Sequence, residues 1–216
     1  MIAQRLAAPA TEEQIKEAVH FIQAKNAAKL VTGAQLVRQG WEAFAQELYA
    51  KDSVTILTLR EIPHFPIIAG LGAEGRLLVG KTESGNGVAC LVPGSDCGFL
   101  PSEASFLAKV LAGLGVSAFF FTATGAALDS VVGSDAVVVI DDGYDFTTVR
   151  GCGVIPAAPG FATELRAFAN SNELLVGSSP LKQGSFIQFP GPTFPTPTEQ
   201  SWARDANADF IGKANL

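Results

Sequence analysis

The stretch 75–93, "GRLLVGKTESGNGVACLVP", sets two apolar runs, 76–81 and 87–92, around a cluster of Gly, Ser and Asn. Short apolar runs flanking such a cluster read as a β-hairpin. Downstream, "GSDCGFLPSEASFLAKVLAGLG" (94–115) is a glycine-rich loop that turns into a helix from about Ser102, with Glu103 in its first turn. "SAFFFTA" (117–123) and "DAVVVIDD" (135–142) are continuous apolar runs between polar turns, the pattern of central strands covered on both faces. Upstream, "TEEQIKEAVHFIQAKNAAK" (11–29) opens on Thr11 with glutamates in its first turn and Ile15, Val19 and Ile22 at helical spacing, which predicts a capped amphipathic helix. In "LVTGAQLVRQGWEAFAQEL" (30–48) a short apolar strand meets Gly33 and then a second helical pattern with Trp41, Phe44 and Leu48. Strand, glycine turn and helix form a frequent anion-binding layout.

The C-terminal third continues the alternation. Residues 143–160 are rich in Gly and Pro and read as irregular, and "FATELRAFANSN" (161–172) reads as a helix. "GSFIQFPGP" (184–192) reads as a strand, "TPTEQSWARDANAD" (196–209) as a helix entered through Pro197, and "FIGKANL" (210–216) as the start of another strand. Apolar strands separated by helices predict an α/β sheet between helical layers. Ligands of such sheets gather at the carboxyl ends of strands, here the loops after Val31, Val92, Phe121 and Phe189.

Composition narrows the class. The chain has 216 residues, enough for one well-packed domain spanning 1–216. Hydrophobic residues make up 48% and charged ones 17%, so most elements are expected to be buried. No apolar run reaches the roughly 18 to 20 residues of a spanning helix, and the N-terminus lacks a signal-peptide pattern, so the expectation is a cytoplasmic protein with no membrane partner. Cys90, Cys97 and Cys152 lie at no metal-ligand spacing and read as idle thiols. A net charge of −6 without a basic cluster argues against a nucleic-acid partner. His20 and His64 are the two histidines, so no catalytic triad is expected, and neither a metal nor a cofactor is called for.

Five segments in order carry a family resemblance: "REIPHFP" (60–66), "GAEGRLLVG" (72–80), "LGVSAFFFTATGAALD" (114–129), "GPTFPTPTEQ" (191–200) and "NADFIGK" (207–213). Together they resemble the purine nucleoside phosphorylases of the trimeric type. The resemblance implies an α/β fold with a mixed central sheet flanked by helices on both faces, a nucleoside phosphorylase-like three-layer sandwich. It also implies that the family's last strand and helix would fall beyond Leu216. Such enzymes displace a purine from its nucleoside with inorganic phosphate. The family's phosphate ligands, a serine, a histidine, an arginine and a second histidine, correspond here in that order to Ala34, Ala73, Ser95 and Cys97, none of which carries a positive charge.

At the nucleoside, the ribose-contacting tyrosine corresponds to Phe99, and a site asparagine falls on Ala123, followed by Thr124. The purine-holding glutamate becomes Pro195, and Lys213 stands where a methionine meets the ribose. Phe194 matches the family's base-stacking phenylalanine and reads either as a purine platform or as a core plug. Arg76 belongs to the hairpin and reads as a surface or interface arginine; Asp141, Asp142 and Asp145 read as strand-end carboxylates.

The expectation is a phosphorylase homologue that has lost phosphorolysis and serves as a binding or assembly protein, with a purine nucleoside or base as ligand. It is expected as a homotrimer or as a mixed oligomer with an active relative. The alternative is a residual nucleosidase or phosphorylase built on Phe194, Thr124 and Lys213.

Overall fold

The structure is a computed structural model and describes residues 10–36, 40–66, 74–94, 101–122, 124–129, 137–145, 182–189 and 195–212. These group into two compact units, one reaching residue 123 and the other beginning at Thr124.

The first unit opens with α1 (Glu12–Lys25). Thr11 caps it: the Thr11 hydroxyl accepts from the Gln14 N–H at 3.3 Å, and the Thr11 N–H donates to Gln14 Oε1 at 2.9 Å. Glu12 and Glu13 at the start and Lys25 at the end complement the helix dipole. The helix stops at Asn26, whose backbone turns extended and whose side chain takes over. Asn26 Nδ2 donates to the Ser53 carbonyl (3.2 Å), Thr55 Oγ1 (3.0 Å) and the Val79 carbonyl (2.9 Å), while Oδ1 accepts from the Ala28 N–H (2.9 Å). One amide thus ties the end of α1 to two strands.

Five strands follow with two more helices: β1 (Leu30–Gln35), α2 (Trp41–Leu48), β2 (Thr55–Thr58), β3 (Arg76–Lys81), β4 (Gly87–Val92), α3 (Pro101–Gly113) and β5 (Ala118–Phe121). A single 3₁₀ turn, Leu59–Glu61, follows β2. The order is β2-β3-β4-β1-β5. The expected hairpin is present as the antiparallel pair β3/β4, while β1 runs parallel to both β4 and β5. On one face, Ala18, Val19 and Ile22 of α1 and Phe106, Leu107 and Val110 of α3 pack on Leu57, Leu77, Val79, Ala89 and Leu91. On the other, Ala45 of α2 and Tyr49 pack on Leu78, Val88, Cys90 and Val92. Helices cover both faces of this sheet, as the fold class requires.

The register of β1 holds an irregularity that decides which side chains face which layer. Leu30 pairs with Gly87 but Thr32 already pairs with Val88, so Val31 is an extra residue and is 45% exposed. Such a bulge shifts the alternation by one. Leu30 faces α1 and α3, whereas Ala34 packs with the cluster under α2. Gly87 permits the close approach at this point, since a Cβ there would collide with the Lys29 carbonyl, its carbon 2.7 Å away.

Beyond residue 123, β6 (Gly125–Ala127), β7 (Val138–Asp145), β8 (Lys182–Gln188), α4 (Pro197–Asp205) and β9 (Phe210–Gly212) form the second unit. Its sheet has the order β6-β9-β8-β7, with β7, β8 and β9 parallel and β6 antiparallel. α4 begins, as expected, with Pro197 in its first turn; Thr196 caps it and Glu199 closes a capping box. Ala203 of α4 packs with Leu128, Ile187, Ala208 and Ile211 on one face. Asp209 Oδ2 accepts from the Ser185 N–H (2.8 Å) and hydroxyl (3.0 Å), locking the approach to β9 onto β8.

The expected mixed α/β fold class holds, and among the described residues the strands form two mixed sheets, of five and four. Two expectations need correction. The runs read as central strands became β5 and β7, and among the described residues each stands last in its sheet's order. Apolar content reports burial without naming neighbours, and Phe120 (46%) and Phe121 (52%) of β5 remain well exposed. Residues 143–145, read as irregular, continue β7. The helix expected over 161–172 lies outside the described residues.

Candidate functional site

The carboxyl ends of parallel strands are where open α/β sheets take ligands. In the first unit these ends are Gln35 on β1, Val92 on β4 and Phe121 on β5, with β1 between two parallel neighbours. The backbone there is pinned: Leu36 N–H donates to the Leu91 carbonyl (2.8 Å), and the Gln35 carbonyl accepts both from the Thr122 N–H (3.1 Å) and from Thr122 Oγ1 (2.7 Å). The Gln35 side chain is 6% exposed. Because of the bulge, Gln35 registers with Leu91 and Phe121, on the face covered by α3.

α3 starts at this same end of the sheet, being joined to the carboxyl end of β4. Glu103 in its first turn is 1% exposed and sits on the stripe that continues through Phe106, Leu107 and Val110. A helix N-terminus otherwise attracts anions. Here the first turn carries a buried glutamate.

In the second unit, the corresponding ends are Asp145, Gln188 and Gly212. Gln188 is 4% exposed and registers with Gly212, which in turn registers with Gly125. The two glycines leave a recess that Phe186 fills: a Cβ on Gly212 would lie 2.6 Å from the ring's Cζ, and one on Gly125 3.0 Å from its Cε2. Phe189 N–H donates to the Gly212 carbonyl (2.9 Å), which closes the end of β8 onto β9.

Gln35 and Gln188 were missed in the sequence. The signal that could have found them is a polar residue at the end of an apolar strand, as in "LVTGAQ" (30–35) and "SFIQ" (185–188). Of the expected site residues, Ala34 and Thr124 are described. Ala34 lies inside β1, paired with Cys90 and Phe120, and its methyl joins the apolar cluster under α2. Thr124 is exposed and leads into β6, its carbonyl 3.1 Å from the Cβ position of Gly212. Ala73, Ser95, Cys97, Phe99, Ala123, Phe194 and Lys213 lie outside the described residues.

The reading of Gly33 as a turn glycine is corrected. It sits within β1, paired with Ala89 and Phe119, and a Cβ there would lie 2.6 Å from Cε2 of the Phe119 ring, closer still to Cδ2, and 3.0 Å from Val116 Cγ1. Packing, not a loop, demands the glycine. The strand therefore ends after Gln35 and not after Val31. Asp141, Asp142 and Asp145 are not grouped at a strand end: β7 runs through all three, with its register shifting between Ile140 and Asp142.

The remaining candidates have structural partners. His64, at φ 62°, places Nε2 2.7 Å from Glu17 Oε2 on α1. The Arg76 guanidinium lies 5.5 Å from the Trp41 ring centroid, a cation–π contact. Burial pushes the Cys90 thiol above its ordinary pKa, which opposes formation of a thiolate. Burial likewise raises the Tyr49 hydroxyl, which donates to the Leu78 or Val88 carbonyl, each 3.3 Å away. Among the described residues no group of three or more His, Cys, Asp or Glu could hold a metal ion, and no helix is long and apolar enough to cross a membrane.

Two mixed sheets, with helices on both faces of the first, define a mixed α/β fold. A family model, the phosphorylase superfamily, matches residues 40–212, and the chain belongs to that superfamily. Its fold is similar to that of the purine nucleoside phosphorylase of Schistosoma mansoni in complex with BCX-34, at 21% identity over 97% of this chain and 81% of that one, with a TM-score of 0.79. The hypoxanthine complex of the schistosome enzyme matches at 19% identity over 97% and 78%, with a TM-score of 0.79. Isoform 2 from Schistosoma mansoni, in complex with cytosine and ribose-1-phosphate, matches at 18% over 96% and 76%, with a TM-score of 0.77. No curated protein sequence matches this chain.

Proposed function

We propose that this chain is a purine nucleoside phosphorylase homologue without phosphorolytic activity, which binds an uncharged purine nucleoside or base and acts as a binding or assembly protein. The observation that carries the reading is the absence of any cationic side chain at Ala34, Ala73, Ser95 and Cys97, the positions matching the phosphate ligands of the family it resembles. A single lost oxyanion donor costs about 3 to 4 kcal/mol of transition-state stabilisation. Two such losses already approach the ~8 kcal/mol behind a 10⁶-fold acceleration, so four leave no phosphorolysis of ordinary size even when they do not add in full.

The first unit supports this, because Ala34 contributes a methyl packed against other apolar groups. Assembly, as a homotrimer or with an active relative, draws support from large apolar side chains at the surface, including Phe44 (44%) on α2 and Ile56 (46%) on β2.

Turnover assays with inosine, guanosine and adenosine plus phosphate, run beside calorimetric titrations of the same compounds, test the reading. The expected result is binding of a nucleoside or base with no base release. Phosphate-dependent release at ordinary enzymatic rates would overturn it.

A further inference from the structure

We propose that Asn86, at the tip of the β3/β4 hairpin, is a site of spontaneous covalent modification, at which the side-chain amide is lost and aspartate and isoaspartate take its place. The proposal is independent of the functional reading above. The chain has six asparagines, Asn26, Asn86, Asn170, Asn172, Asn207 and Asn215, and only Asn86 is followed by glycine. The attacking atom in this reaction is the main-chain nitrogen of the next residue, and a glycine there carries no side chain to obstruct the approach.

The structure separates Asn86 from the other described asparagines. Asn86 is exposed, and its Nδ2 donates to Ser84 Oγ within the same turn (3.1 Å). Gly85 on its other side, at φ 84°, has open space where a Cβ would stand. Asn26, by contrast, has Nδ2 tied to three acceptors and Oδ1 to the Ala28 N–H. At Asn207 the attacking nitrogen would be that of Ala208, whose N–H is engaged with the Ala203 carbonyl (3.0 Å). In the reaction the Gly87 nitrogen bonds to Asn86 Cγ, the Cγ–Nδ2 bond breaks, and the proton shed by the Gly87 nitrogen leaves with the amide as ammonia. Water then opens the cyclic imide at either carbonyl, giving aspartate or isoaspartate.

The hairpin gates the first step. The Thr82 N–H donates to the Asn86 carbonyl (2.9 Å) and the Asn86 N–H to Thr82 Oγ1 (3.2 Å), so the Gly87 nitrogen reaches Cγ when this end pair opens. Opening the end of a ladder costs far less than opening the core. The two products are unequal. Aspartate leaves the main chain as it was, whereas isoaspartate lengthens it by a methylene directly before Gly87, whose Cβ position already lies 2.7 Å from the Lys29 carbonyl carbon.

The test incubates wild type, Asn86→Gln and Thr82→Ala at mildly alkaline pH beside a peptide of residues 82–89, and follows intact mass, peptide maps and labelling by an isoaspartate-specific methyltransferase. The expected result is a gain of about one dalton per event, mapped to Asn86 before any other asparagine, slower than in the peptide and absent at position 86 of Asn86→Gln. Thr82→Ala removes one bond of the end pair and should react about twofold to tenfold faster than wild type. The isoaspartyl form should melt about 2 °C or more below Asn86→Asp, which carries the same charge on an unaltered main chain. Amide loss at another asparagine first, or an intact Asn86 in the folded protein after about a hundred half-lives of the peptide, would overturn the proposal. A Thr82→Ala rate equal to that of wild type would overturn the gate.

Discussion

Replacing Gly33 by alanine distinguishes a packing glycine from a phosphate-loop glycine. The new methyl would enter the face where Phe119 lies, 2.6 Å from ring Cε2 and 3.0 Å from Val116 Cγ1. The ring has little room to yield, because it packs against the core cluster and stands 4.6 Å, centroid to centroid, from Phe121. Overpacking of this kind costs about 1–3 kcal/mol. At about 2–4 °C per kcal/mol for a chain of this size, the melting temperature should fall by roughly 2–12 °C. Urea unfolding of wild type, Gly33→Ala, Phe119→Leu and the double variant measures the coupling. The smaller leucine should relieve the clash, so the double variant should be more stable than the sum of the single changes by about 0.5 kcal/mol or more. A phosphate-loop glycine predicts the opposite pattern: stability within about ±0.5 kcal/mol of wild type and altered phosphate affinity. Strict additivity of the two substitutions would refute the packing account.

Two further perturbations probe the frame of the first unit. Asn26→Ala removes three donor contacts and one acceptor contact and should cost roughly 2–4 kcal/mol in denaturant unfolding. Asn26→Asp should cost more, since an oxygen would then face three oxygens, and an aspartate variant as stable as wild type would disprove the clamp. Glu61 supplies a pH test: hydrogen bonds from the Thr58 hydroxyl (2.6 Å) and N–H (2.8 Å) hold its carboxyl below the ordinary carboxylate pKa. A carboxylate depressed in the folded state contributes stability above its unfolded pKa and loses it as pH falls through the folded one. The stability of wild type relative to Glu61→Gln should therefore be constant above about pH 5.5 and shrink below about pH 4; a gap that persists in acid would contradict the assignment.

Local chemistry made much of this protein legible without coordinates. Thr11 with Gln14, and Thr196 with Pro197 and Glu199, announce two helix starts because caps are settled within one turn. The hairpin 76–92 is equally local, since its turn residues lie between the strands they join. The ordered segments from "REIPHFP" to "NADFIGK" pointed to the superfamily whose match spans residues 40–212.

What the chain alone could not disclose depends on register between distant strands. Read by itself, "LVTGAQ" (30–35) places Gln35 on the face opposite Leu30 by simple alternation. The extra residue Val31, visible only against Gly87 and Val88 of β4, returns it to the face of Leu30. The same long-range pairing sets Gly33 under the Phe119 ring, divides the strands between two sheets and gathers Gln188, Gly212 and Gly125 into one row. Turns and caps are decided by neighbours in sequence, but a strand's faces are decided by its partners, and those partners meet only when the chain has folded.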